Sequence, residues 1–131
     1  EQLEAWGADL PNAGAVASDF EFFSGRKNYA NNTAGAYYAA RLAVAEFLVS
    51  KKRQAAVVVF REIGVEYNVS LGVWVVRESM RNALKQKPIS FGDLQLALKF
   101  LESKLTVPLK NFREKSALLD FLANQKRLGD F

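Results

Sequence analysis

Phe91, Leu94, Leu98, Leu101 and Leu105 recur at spacings of three and four, between Pro88 and Pro108. That period places them on one narrow helical seam. A seam this short is too small for a free coiled coil, so it must pack inside the domain. The prolines set its frame. Pro88 ends a preceding helix at 71–86, whose inner face is Val73, Val76, Met80 and Leu84. Ser90-Phe91-Gly92-Asp93 fits a capping box, with Asp93 in place of the usual Glu. Pro108 stands at the start of a last helix with Leu109, Phe112, Leu119 and Leu122 inward, widened by Leu118 and Phe121.

Upstream, Asn32 or Thr33 can cap a helix over 34–53 whose face is Tyr38, Leu42, Ala45 and Val49. Its many alanines allow another backbone to come close. The next stretch, 54–67, holds Val57, Val58, Val59, Phe60 and Ile63. A helix is preferred there over a hairpin of 56–63 with 67–76, because Ala55-Ala56 precede the valines and no Asn-Gly or Asp-Gly turn joins the halves. Gly64 ends the element. The expected fold is all-α, a single domain of four to five helices.

Charge divides the chain differently. Five of the 14 acidic residues lie in 1–25, and all 18 basic ones lie in 26–131. The first stretch therefore carries −5 and the rest +9. Residues 1–32 read as an extended, acidic, Gly- and Pro-containing arm, and 33–131 as a basic helical body. The arm also carries Trp6, Leu10, Val16, Phe20, Phe22 and Phe23. So many large apolar groups need a groove, on their own body or on a neighbouring subunit. Trp6, Leu10, Phe20, Phe22 and Phe23 are the expected subunit-interface residues.

Among 131 residues there is no His and no Cys. That excludes thiol nucleophiles and every His-based triad, and leaves no zinc site. No G-x-G-x-x-G and no phosphate loop is present. Glu62 and Glu66 stand at i, i+4 but lack further oxygen ligands, so with Arg61 they read as a solvated ion-pair face. Tyr37, Tyr38 and Tyr67 read as core residues with hydroxyls at the rim. The chain is expected to be no enzyme and to need no cofactor or metal. Arg41 and Glu46 interrupt the longest apolar run, well short of the roughly 18 residues of a membrane span. The first residue is Glu rather than Met, which reads as a processed or trimmed start, and no signal peptide is expected in the chain.

The basic groups suggest a partner. Lys51-Lys52-Arg53 lies at a helix end, where cations also suit the helix dipole. Arg77, Arg81 and Lys85 stand at i, i+4, i+8, followed by Lys87, with Glu78 the one acid in the stretch. Stacked cations repel unless an anion such as a polyphosphate backbone lies against them. Phe60 to Val65, followed by Val69, Val73 and Trp74, is similar to a helix-turn-helix with Gly64 at the turn. Ser70 departs from that motif where it wants an apolar residue, and Phe60 where a small one is usual. The cations also lie toward the C-terminal part of the second helix, which suits phosphate better than base contact.

In layout, with its arm, its small-residue-rich first helix and its basic surfaces, the chain resembles the major capsid proteins of filamentous and rod-shaped archaeal DNA viruses. The resemblance implies an oligomeric coat subunit that clasps its neighbours and wraps double-stranded DNA without sequence specificity, located in the virion. It would set Arg41, Lys51, Lys52, Arg53, Arg61, Arg77, Arg81 and Lys85 against phosphate, with Lys87 beside them. Two other readings stay open: a helix-turn-helix-like DNA-binding regulator, and a helical protein-interaction module with no nucleic-acid role. Either would be cytoplasmic.

Overall fold

A computed structural model describes residues 15–64 and 72–125. They form five helices and no strand: α1 Gly35–Lys51, α2 Trp74–Lys85, α3 Leu94–Glu102, α4 Leu109–Lys115 and α5 Ala117–Asn124. The all-α expectation holds, and residues 15–33 precede the helices as non-helical chain.

Residues 54–64 correct the sequence reading. They are not helical and pair with no strand among the described residues; the second half of the expected hairpin lies partly outside those residues, and the side-chain pattern of 54–64 is that of an extended segment. The three consecutive β-branched valines favour this conformation. Exposure alternates along it with a period of two: Val58, Phe60 and Glu62 are half-buried, while Val57, Val59, Arg61 and Ile63 are exposed. The inward members lie on helices instead of on a sheet. Val58 and Phe60 pack with Leu94, Leu101 and Leu105 around buried Leu98, Leu109 and Leu119. The Phe60 ring meets Phe112 edge-on at 5.3 Å. The leucine seam thus packs inside the domain, except that Phe91 turns aside to Phe100.

Helix boundaries also shift for local reasons. Asp93 alone caps α3, accepting from the Leu96 N–H at 2.9 Å, so Ser90 lies outside the cap. Gly72 takes φ 81 and α2 begins at Trp74, not at 71. The single last helix is two, because Ser116 leaves the helical region and its side chain accepts from the Leu119 N–H at 3.2 Å. A serine that caps a new helix competes with continuing the old one.

In α1 the face Tyr38, Leu42, Ala45, Val49 does not turn inward, since Leu42, Ala45 and Val49 are exposed. Ala43 is buried instead, with Val44, Phe47 and Leu48 half-buried. Thr33 and Asn32 do not cap the helix: the Thr33 N–H and hydroxyl both donate to Asp19, and the Asn32 amide donates to the Ser18 carbonyl.

The arm folds back on its own chain. Phe22 packs edge-on against Phe20 at 5.3 Å and against Phe121 of α5 at 5.0 Å. Phe20 and Phe22 therefore have aromatic partners within the chain, while Phe22 is still 45 % and Phe23 98 % exposed. Trp6 and Leu10 lie outside the described residues.

Candidate nucleic-acid interface

Two contacts fix how α1 and α2 run. At their beginnings, a Cβ placed on Gly35 would fall 2.7 Å from Val73 Cγ1, so only glycine admits this approach. Further along, Arg81 donates to both carboxylate oxygens of Glu46, at 2.9 and 2.7 Å. Start meets start and late residue meets late residue, so the two helices run in the same direction. At 1.5 Å per residue, Lys51 lies about 7 Å beyond Glu46, and Lys85 about 6 Å beyond Arg81. Their C-terminal ends are level.

That geometry places Lys51, Lys52 and Arg53 at the same end of the helix pair as Lys85 and Lys87. All five are exposed, and none has an ion-pair partner among the described residues. No Asp or Glu occurs in 47–61 or 79–92. Lys52 closes α1 in the left-handed region, and its N–H donates to the last-turn carbonyls. Two helix C-termini partly offset the repulsion among the cations.

The other expected phosphate ligands are differently placed. Arg81 is bound to Glu46 and, at 2.8 Å, to Glu78, while Arg77 meets Glu78 at 3.3 Å. Two members of the ladder, Arg77 and Arg81, are therefore neutralised within the chain, and Lys85 is left without an acid among the described residues. The missing acid comes from α1, 35 positions away, and spacing on one helix could not reveal it. The hydrogen bond from Arg81 holds the Glu46 carboxyl below its ordinary pKa. Arg41 pairs with Glu21 of the arm. Arg61 is exposed on the extended segment, on the opposite side from Glu62.

Both carboxylate oxygens of Glu62 are engaged by the backbone. It accepts from the N–H groups of Thr106 and Val107 at 3.0 and 2.6 Å, and these bonds lower its pKa. It ties the extended segment to the turn that leads into α4. Glu66 lies outside the described residues, and no group of three or more potential metal-ligating side chains occurs among those described.

Arg26 does not stand out in the sequence as a site residue, yet it organises the arm. Its guanidinium donates to the carbonyls of Phe20, Asn28 and Tyr29, at 2.6, 3.1 and 3.2 Å. It also lies 3.5 Å from Asp19 and 5.4 Å above the Tyr37 ring. Burial first, and then Glu21, raises the Tyr37 pKa. The available signal was position: Arg26 is the first basic residue after 25 without one.

The helix-turn-helix comparison fails at its first helix, which is the extended segment. No helix among the described residues is long and apolar enough to cross a membrane.

Comparison with known proteins adds what geometry cannot. Residues 21–131 match the family described as Archaeal Nre, C-terminal. The chain is 40 % identical over 116 residues to the DNA repair protein NreB of Archaeoglobus fulgidus, covering 88 % of this chain and 29 % of that protein. It is 40 % identical over 117 residues to the DNA repair protein NreA of Haloferax volcanii, covering 86 % and 27 %. It is 46 % identical over 88 residues to the NreA protein of A. fulgidus, covering 67 % and 22 %. The chain thus spans less than a third of the length of these relatives. No solved structure matches it significantly. These matches overturn the capsid resemblance, and with it the coat function and the virion as location. That resemblance rested on helix layout and basic charge, which unrelated helical proteins share, and on no residue motif. The DNA-binding alternative stands nearer to the relatives' names, although none of these relatives is named a regulator.

Proposed function

Because the chain belongs to the archaeal Nre family, we propose that it is a DNA-contacting region of a DNA repair protein. Its phosphate ligands are Lys51, Lys52, Arg53, Lys85 and Lys87. The observation that carries this reading is the parallel course of α1 and α2, which gathers five unpaired cations at one end. The names of the relatives supply the DNA context. Four of the five are lysines, compact charges that suit phosphate contact and carry no sequence information. The region acts by binding rather than by catalysis, in keeping with its lack of His and Cys.

Duplex binding measured across a salt series tests the proposal. Five phosphate contacts give a slope of log affinity against log salt of about −4.5. The double replacement Lys52→Glu, Lys85→Glu should weaken binding to all sequences alike and flatten the slope by about 2. Arg77→Ala with Arg81→Ala should leave the slope nearly unchanged, because both side chains are already paired with acids. A slope unmoved by the charge reversals overturns the reading.

A further inference from the structure

About 15 Å back along α1 from Lys51, at the level of Arg41, the arm and helix enclose a shallow pocket of about 320 Å³. Its walls include Glu21, Arg26, Lys27, Tyr29, Tyr38 and Arg41. That volume lies at the lower end of small-ligand sites. Three cations face one carboxylate.

The wall is firmly held. Arg26 fixes three carbonyls of the arm, and the Tyr38 hydroxyl accepts from the Ala30 N–H at 3.1 Å. Tyr29 stacks on Tyr38 with ring centroids 5.1 Å apart and planes 25° from parallel. Tyr29 is 52 % exposed while one ring face lies on Tyr38, so part of its side chain stays accessible to a ligand. Lys27 is exposed and has no ion-pair partner among the described residues. Arg41 engages Glu21 through Nε, which leaves its two Nη groups to donate elsewhere. Glu21 is thereby neutralised and repels an incoming anion less than a free carboxylate would.

A partly accessible aromatic ring beside two available cationic donors fits a flat ring that carries an anion. We infer that the pocket binds a nucleotide unit, with its base stacked on Tyr29 and its phosphate on Lys27 and the Arg41 Nη groups. Stacking requires no particular base, and a guanidinium offers a phosphate two parallel hydrogen bonds. The unit is either a free nucleotide or an unpaired residue of single-stranded DNA, since the chemistry is shared. The site uses none of the five cations of the basic end and does not rest on the duplex-binding proposal.

Calorimetric titration of the full chain carrying Lys52→Glu and Lys85→Glu weakens the basic end as a competing site. The titrants are adenosine 5′-monophosphate, a short oligothymidylate, a closed hairpin duplex and inorganic phosphate. Adenosine monophosphate, the oligothymidylate or both should bind, and Tyr29→Ala should weaken that binding while leaving the residual binding of the duplex unchanged. An oligothymidylate at least tenfold tighter than the mononucleotide identifies unpaired DNA as the source; equal or weaker binding identifies a free nucleotide. Tyr29→Ala should weaken binding by roughly 5- to 150-fold, the range that base stacking contributes. Tyr29→Phe should retain affinity within about twofold, because the stacking face is kept. Lys27→Glu, at an exposed side chain whose loss leaves the fold intact, should weaken binding several-fold. The inference is overturned if neither nucleotide nor oligothymidylate binds at millimolar concentration. It is equally overturned if inorganic phosphate binds as tightly as the nucleotide, or if Tyr29→Ala and Lys27→Glu leave affinity unchanged.

Discussion

The two halves of the molecule are held together by different physics. In the first, the arm, α1 and α2 join through charged hydrogen bonds: Asp19 with Thr33, Arg26 with three carbonyls, Glu46 with Arg81. The large side chains here leave few fully buried groups, and the buried residues are Ala30, Ala43 and Val76. In the second half, Leu98, Leu109 and Leu119 are 5, 6 and 3 % exposed, and the extended segment closes over them. One half has small residues and geometry-dependent polar ties. The other has an apolar core that tolerates geometry but not lost volume. Phe22 against Phe121 joins the two halves, and Glu62 holds the extended segment to the turn before α4 within the second.

The contrast is open to direct attack. The largest effect belongs to the leucine half: Leu109→Ala or Leu119→Ala should lose about 2–5 kcal/mol of stability in denaturant unfolding. A loss below about 1 kcal/mol would mean that the cluster is not the core. Next comes Asp19→Ala. The carboxylate side chain is 4 % exposed and bound to Thr33 and Arg26, so removal leaves buried donors unpaired and should cost about 1.5–3 kcal/mol. Gly35→Ala should cost about 1–2 kcal/mol through its clash with Val73. Val73→Ala in the same chain should recover part of that loss; strictly additive losses would refute the close approach.

The smallest effect is a pH dependence. The Thr106 and Val107 N–H groups depress the Glu62 pKa in the folded chain. Its contribution is therefore complete above the ordinary glutamate value near 4.3 and fades as pH falls through the lower folded value. Unfolding of the unmodified chain should steepen on that acid limb, and Glu62→Gln should flatten it. Equal acid limbs in the two chains would remove Glu62 as the tie between the extended segment and the turn before α4.

The legible parts are those in which one local signal has no competitor. The seam from Leu94 to Leu105 can be read because a helical period bounded by two prolines admits few alternatives. The Val57–Phe60 run misleads because helix and strand both fit a short apolar run, and its period of two shows only in which side chains the structure covers. The basic end is half legible: both Lys51-Lys52-Arg53 and the Lys85, Lys87 pair stand out, but their convergence does not.

The sequence alone determined the helical class, the uneven charge and the absence of His and Cys chemistry, because composition and short-range period act within a few residues. The tertiary structure decided which cations stay available. Glu46 reaches Arg81 across 35 positions, and Glu21 reaches Arg41 across 20. Charge pairing falls off with distance in space rather than along the chain, so no spacing rule could sort Arg41 and Arg81, paired across the fold, from the unpaired cations of the basic end. The parallel course of α1 and α2 was likewise decided by packing, through one glycine small enough to let Val73 in.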